Sequence, residues 1–141
     1  MASSPEEYRS PRERLTFSRT HHLKRKSLIE PLFDRTDQST HSVASGSVRV
    51  LYRLVDESIS ETTYQIGVAV GRSAGSAVKR NRVKRIIRET VRLNQHLIPE
   101  TEQLFTAMVL FRGRFDQLSA TPDDVKACLQ KVSVNLKAAA N

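Results

Sequence analysis

Tyr64-Gln65-Ile66-Gly67-Val68-Ala69-Val70-Gly71-Arg72-Ser73-Ala74-Gly75-Ser76-Ala77-Val78-Lys79-Arg80-Asn81-Arg82-Val83-Lys84-Arg85-Ile86-Ile87-Arg88-Glu89-Thr90-Val91-Arg92 changes its period part-way along. Up to Val70 it alternates: Tyr64, Ile66, Val68 and Val70 share one face, Gln65, Gly67 and Ala69 the other, as in a strand. Gly71–Ser76 is a link of small residues that also contains Arg72. Beyond it, Val83, Ile86, Ile87, Thr90, Val91, Asn94 and Leu97 gather on one side of a helix spanning about Ala77 to Leu97. Lys84, Arg85, Arg88 and Arg92 lie opposite, with Asn81 in line. Seven of the fourteen residues Lys79–Arg92 are Lys or Arg, against the single acid Glu89. Like charges at i,i+4 repel by a few tenths of a kcal/mol per pair, so this face favours a polyanionic partner, nucleic acid above all, over a plain solvated surface.

Upstream, Val48–Val55 alternates as well, with Val48, Val50, Tyr52 and Leu54 on one side and Arg49, Leu51, Arg53 and Val55 on the other. The short polar connection Asp56–Thr62 predicts antiparallel pairing of these two strands with each other. Asp34–Ser47 reads as a loop, with room for a further strand near Val43. Before it, Ser27 and Glu30 form a capping-box pattern opening a short helix. Its apolar side is Leu28, Ile29, Leu32 and Phe33, and Pro31 falls at the end of its first turn. Downstream, Leu104–Phe111 is apolar enough for a strand buried on both faces, and Arg112–Ala120 reads as a loop. Thr121-Pro122-Asp123-Asp124 predicts a helix start with Thr121 at the N-cap, followed by an apolar stripe of Val125, Cys128, Leu129, Val132 and Leu136. Helix, two strands, helix, strand, helix predicts a single small α+β sandwich with helices packed on one mixed β-sheet, over residues 14–141. Residues 1–13, polar and carrying Pro5 and Pro11, are expected to be a disordered tail.

The 141 residues carry a net charge of +8, with 38% hydrophobic and 27% charged residues, which suits one soluble domain. No apolar run approaches the ~20 residues of a membrane span, and the first residues lack a signal-peptide layout. The lone Cys128 excludes an internal disulfide and a cysteine-cluster metal site, and its place on an apolar stripe marks it as core. The expected location is the cytoplasm, with no membrane partner and no obligate protein partner. A Gly-rich phosphate loop, a zinc-helix motif and a nucleophile elbow are all missing, and His21, His22, His41 and His96 are scattered. Neither protein-borne catalysis nor a protein metal site is expected. Three RNA or DNA roles fit the basic helix: a ribonucleoprotein subunit, a structural RNA-binding component such as a ribosomal protein, and a duplex-DNA regulator. Against the last, strands and a small-residue link precede the helix where a helix-turn-helix would need a second short helix.

Gly67–Glu89, and within it Ala77-Val78-x-Arg80-Asn81-Arg82-x-x-Arg85 behind a Gly-containing link from a strand, resembles the signature of the bacterial ribonuclease P protein subunit family. The resemblance extends more weakly over about residues 14 to 137. It implies a ribosomal protein S5 domain 2-like fold with a left-handed β-α-β crossover around the basic helix, against the usual right-handed rule. It implies further that the protein assists an endoribonuclease whose catalyst is a large RNA. Mg²⁺ would be held mainly by that RNA, and the reaction would remove the 5′ leader of precursor tRNA. Carried over by position, Arg72, Lys79, Arg80, Asn81, Arg82, Lys84, Arg85, Arg88 and Arg92 would bind RNA, and Phe17, Ile29, Phe33 and Tyr52 would line a leader cleft. This chain has Ser73 where many relatives have a second basic residue. Asp34-Arg35-Thr36-Asp37 stands in place of the usual Gly after the first helix.

Overall fold

The computed structural model describes residues 21–56, 64–98, 101 and 103–140; residues 1–13 and Phe17 lie outside them. The strand Leu104–Phe111 (β4) is the centre of the molecule, and every one of its residues is buried. On one side it pairs antiparallel with Val48–Val55 (β2), from Val48↔Phe111 to Val55↔Leu104. On the other it pairs parallel with Tyr64–Val70 (β3), from Tyr64↔Phe105 to Val70↔Phe111. His41–Ser45 (β1) pairs antiparallel with β2, so the four-stranded sheet runs β1-β2-β4-β3.

The expected direct pairing of β2 with β3 is therefore wrong. A strand with side chains to bury on both faces gains most between two neighbours, and β4 takes that place. The room left near Val43 is filled by β1. It turns back into β2 through Gly46-Ser47, with Gly46 at φ 55, the glycine-first pattern of a II′ hairpin. A side chain at Gly46 would also run into the Asp124 carboxylate, 2.3 Å from where its Cβ would sit.

Alternation in β2 and β4 divides the side chains between two cores. Val48, Val50, Tyr52, Phe105, Ala107, Val109 and Phe111 face the helices Ala77–Leu93 (α2) and Thr121–Ala140 (α3), meeting Val83, Ile87 and Val91 of α2 and Val125, Cys128, Leu129 and Val132 of α3. Leu104, Met108 and Leu110 face the other way, under Leu28 and Leu32 of the helix Lys26–Phe33 (α1) and Leu23 ahead of it. Cys128 is fully buried, and its thiol donates to Val48 O at 3.7 Å.

Several boundaries move. α1 starts at Lys26 with Arg25 as N-cap and no side-chain cap, so the Ser27–Glu30 box does not form; Pro31 falls in the later half of the helix. α2 stops at Leu93, where Asn94 caps it through bonds to Thr90 O and Val91 O, and Gln95–Leu97 continues as a 3₁₀ turn. Phe115–Ala120 is a 3₁₀ segment rather than a loop, and it runs straight into α3. Thr121 is consequently helical (φ −61, ψ −43) rather than an N-cap, and its hydroxyl donates to Gln117 O.

Candidate nucleic-acid interface

Gly71 N donates to Phe111 O at 3.1 Å, extending the β3–β4 ladder by one rung before the chain leaves the sheet. Arg72–Ala74 then forms a 3₁₀ turn pinned by buried Ala74. Gly75, at φ 112, reverses the chain in a conformation that L side chains avoid. Ser76 caps α2 by accepting from Lys79 N at 3.3 Å. Ser73 has a structural task here: its hydroxyl donates to Gly113 O at 3.1 Å, tying the link to the segment after β4.

Val83, Ile87, Thr90 and Val91 are the buried stripe of α2. Asn81, Arg82, Arg85 and Arg88 are exposed on the far side, joined by Lys79 near the start of the helix and by Arg72 before it. Arg80, Lys84 and Arg92 sit half-buried on the flanks. Lys79 Nζ lies 5.5 Å from the centre of the Phe115 ring. Arg92 is folded onto Glu89, which makes it the one candidate among the described residues already paired with an acid. That pairing holds the Glu89 carboxyl below its usual range. The first turn of α2 carries no acid. Lys79 and Arg80 thus stand at the positive end of the helix dipole, each placed unfavourably by about 0.3–1 kcal/mol until an anion arrives, and Arg82 follows in the second turn.

The face of the sheet under α1 holds a second feature. A cleft of about 500 Å³ opens between the end of α1, the following loop and the first two strands. Phe33 reaches it with 48% of its surface exposed, the only large apolar side chain of α1 so placed. Leu51 forms part of its floor, and Arg35, Arg49 and Arg112 stand around it. Ile29 instead packs against the core beneath α1. Tyr52 is excluded from this cleft. It lies on the α3 side of the sheet, 3% exposed, tilted against Phe105 and accepting from Asn135 Nδ2 at 3.3 Å. Alternation along β2 forces this, because Leu51 and Tyr52 must point to opposite faces. Arg49 and Arg112 were not among the sequence candidates. The signal for Arg49 was its parity with Leu51, but nothing local says which face of β2 lies beneath a helix.

Residues 17–137 match the family model described as Ribonuclease P. The chain belongs to this family. A ribonuclease P protein component from Brevibacillus brevis is 36% identical over 81 residues, covering 57% of this chain and 59% of that protein. The matched part thus spans less than two thirds of that relative's length. The fold of ribonuclease P proteins is shared too. The Thermotoga maritima protein superimposes with a TM-score of 0.60 at 21% identity, over 78% of this chain and 96% of the other. The Staphylococcus aureus protein gives 0.54 at 23%, over 84% and 94%. Within the family frame, the sandwich with helices on a mixed sheet is as expected, and the unpaired cations of α2 lie within the matched region. Among the described residues no helix is long and apolar enough to cross a membrane.

Proposed function

We propose that this chain is the protein subunit of ribonuclease P, a cytoplasmic ribonucleoprotein endonuclease that removes the 5′ leader from precursor tRNA. The chain's part is to bind and to position. Arg82, Arg85 and Arg88, with Lys79 and Arg72, neutralise phosphates of the catalytic RNA, and the neutral amide of Asn81 adds a hydrogen bond; Arg80 and Lys84 add charge from the flanks. Arginine suits this work because its planar fork donates to two phosphate oxygens at once. The cleft under α1 takes the single-stranded leader, with Phe33 as a stacking platform worth about 1–3 kcal/mol per base.

The observation that carries the reading is the row of cations at the positive end of α2 with no acid in its first turn. Polyanion binding relieves such a row more fully than water and salt do, and releases the counterions it holds. Among the described residues no group of three or more His, Cys, Asp or Glu side chains converges to hold a metal ion. Family resemblance, not this absence, assigns Mg²⁺ to the RNA, which would supply the hydrolytic chemistry, and no step is given to a side chain of this protein.

Reconstitution tests it. Precursor tRNA, the host's candidate ribonuclease P RNA and this protein are combined at low Mg²⁺. Cleavage should require both macromolecules. Cleavage that proceeds equally without the protein, or co-sedimentation of the protein with ribosomal particles alone, refutes the proposal.

A further inference from the structure

Arg49 leaves β2 on the same face as Leu51 and enters the cleft that Phe33 shares. Its Nη1 donates to Ser42 Oγ at 3.3 Å across the β1–β2 hairpin. That bond occupies one of five guanidinium donors, leaving the others for a ligand. Among the described residues no acid neutralises Arg49. The two acids lining the cleft are engaged elsewhere. Asp34 accepts from Thr36 N at 2.9 Å and Thr36 Oγ1 at 2.6 Å, whereas Asp37 pairs with Arg53 at 3.1 Å and accepts from Ser39 N at 2.8 Å. A guanidinium braced by Ser42, and in no ion pair among the described residues, thus shares a cleft with an exposed aromatic ring. The combination suits a single strand, whose backbone is anionic and whose bases stack.

We infer that Arg49, braced by Ser42, clasps a phosphate of the strand whose base stacks on Phe33, and so is a specificity-determining residue for substrates with a long leader. This rests on the proposed function and adds a residue to it. Arg49 lies on the opposite face of the sheet from α2, so its effect separates from the grip on the catalytic RNA.

The reconstituted holoenzyme is assayed on precursor tRNA with a long leader and with the leader shortened to one nucleotide. Wild-type protein should favour the long leader. Arg49→Ala should weaken long-leader binding about tenfold, the loss of one charged hydrogen bond of ~1.5 kcal/mol, and leave the short-leader substrate unchanged. Arg49→Lys should retain most of the preference, which a purely structural role would not predict. The salt dependence of long-leader binding should flatten by about 0.7 in slope for Arg49→Ala but not for Arg49→Lys. Binding of the catalytic RNA alone reports that each variant is folded. If Arg49→Ala loses that binding, the folded Arg49→Lys and Ser42→Ala decide. Arg49→Lys must keep the salt slope, and Ser42→Ala must lower long-leader affinity alone. Equal leader preference in wild type and Arg49→Ala overturns the inference while leaving the proposed function standing. A wild-type protein that fails to stimulate cleavage overturns the proposed function itself.

Discussion

Phe33 and Tyr52 show how much a single position depends on which way it points. Both are aromatic, and family resemblance places both in one cleft. Phe33 is 48% exposed at the cleft and Tyr52 is 3% exposed in the opposite core. Phe33→Ala should therefore leave stability nearly unchanged and weaken leader binding by about 1–3 kcal/mol, read by titrating leader-bearing substrate onto the holoenzyme. Tyr52→Ala should do the reverse, lowering unfolding free energy by about 3–5 kcal/mol in a urea titration, with leader preference intact in whatever fraction folds. Cys128 makes a pH prediction. Burial pushes its thiol from an ordinary 9.0 up to about 11. The unfolded thiol ionises first, so the unfolded chain binds fewer protons between those values, and stability falls as pH climbs from about 9 to about 11. Below pH 9 this group adds no pH dependence. Cys128→Ala should remove that part of the decline, seen as the difference between the two proteins' stability–pH curves.

At the scale of elements, α2 is an amphipathic helix whose two faces answer to different partners. The stripe Val83, Ile87, Val91 follows from its period and is buried as the period requires. The charged face is less uniform than the period suggests, since Arg92 is folded onto Glu89 while Arg82 and Arg85 project freely. Arg82→Ala and Arg85→Ala should each flatten the salt dependence of RNA binding by about 0.7–0.9 in slope, one phosphate contact apiece. Arg92→Ala should change it less than either. Equal slopes for all three variants in filter binding across a salt series would refute the distinction. The start of α3 shows the opposite failure of local signals. Thr121-Pro122-Asp123-Asp124 has the composition of a helix opening, yet the preceding 3₁₀ segment delivers the chain already wound, so Thr121 spends its hydroxyl on Gln117 O.

For the whole molecule, β4 is the joint through which both surfaces are held. Its Phe105, Val109 and Phe111 form one core with α2 and α3; its Leu104, Met108 and Leu110 form the other with α1. Phe105→Ala should lower stability by about 3–5 kcal/mol. RNA binding and leader preference should then fall together with the folded fraction, followed by far-ultraviolet circular dichroism at rising temperature. Independent loss of one surface would show that the two cores are not coupled through β4.

Periods along the chain were enough to determine an α+β protein with a strand, a small-residue link and a cationic helix in that order. Period is a local property, set by the geometry of one strand or one helix. The same alternation divided β2 into its two sets of side chains, Val48-Val50-Tyr52-Leu54 and Arg49-Leu51-Arg53-Val55. Which set would meet α3 and which would line the cleft was decided only by tertiary packing. So was the insertion of β4 between β2 and β3. Both depend on where elements distant in sequence find the largest apolar area to cover, and no window of the chain contains that information.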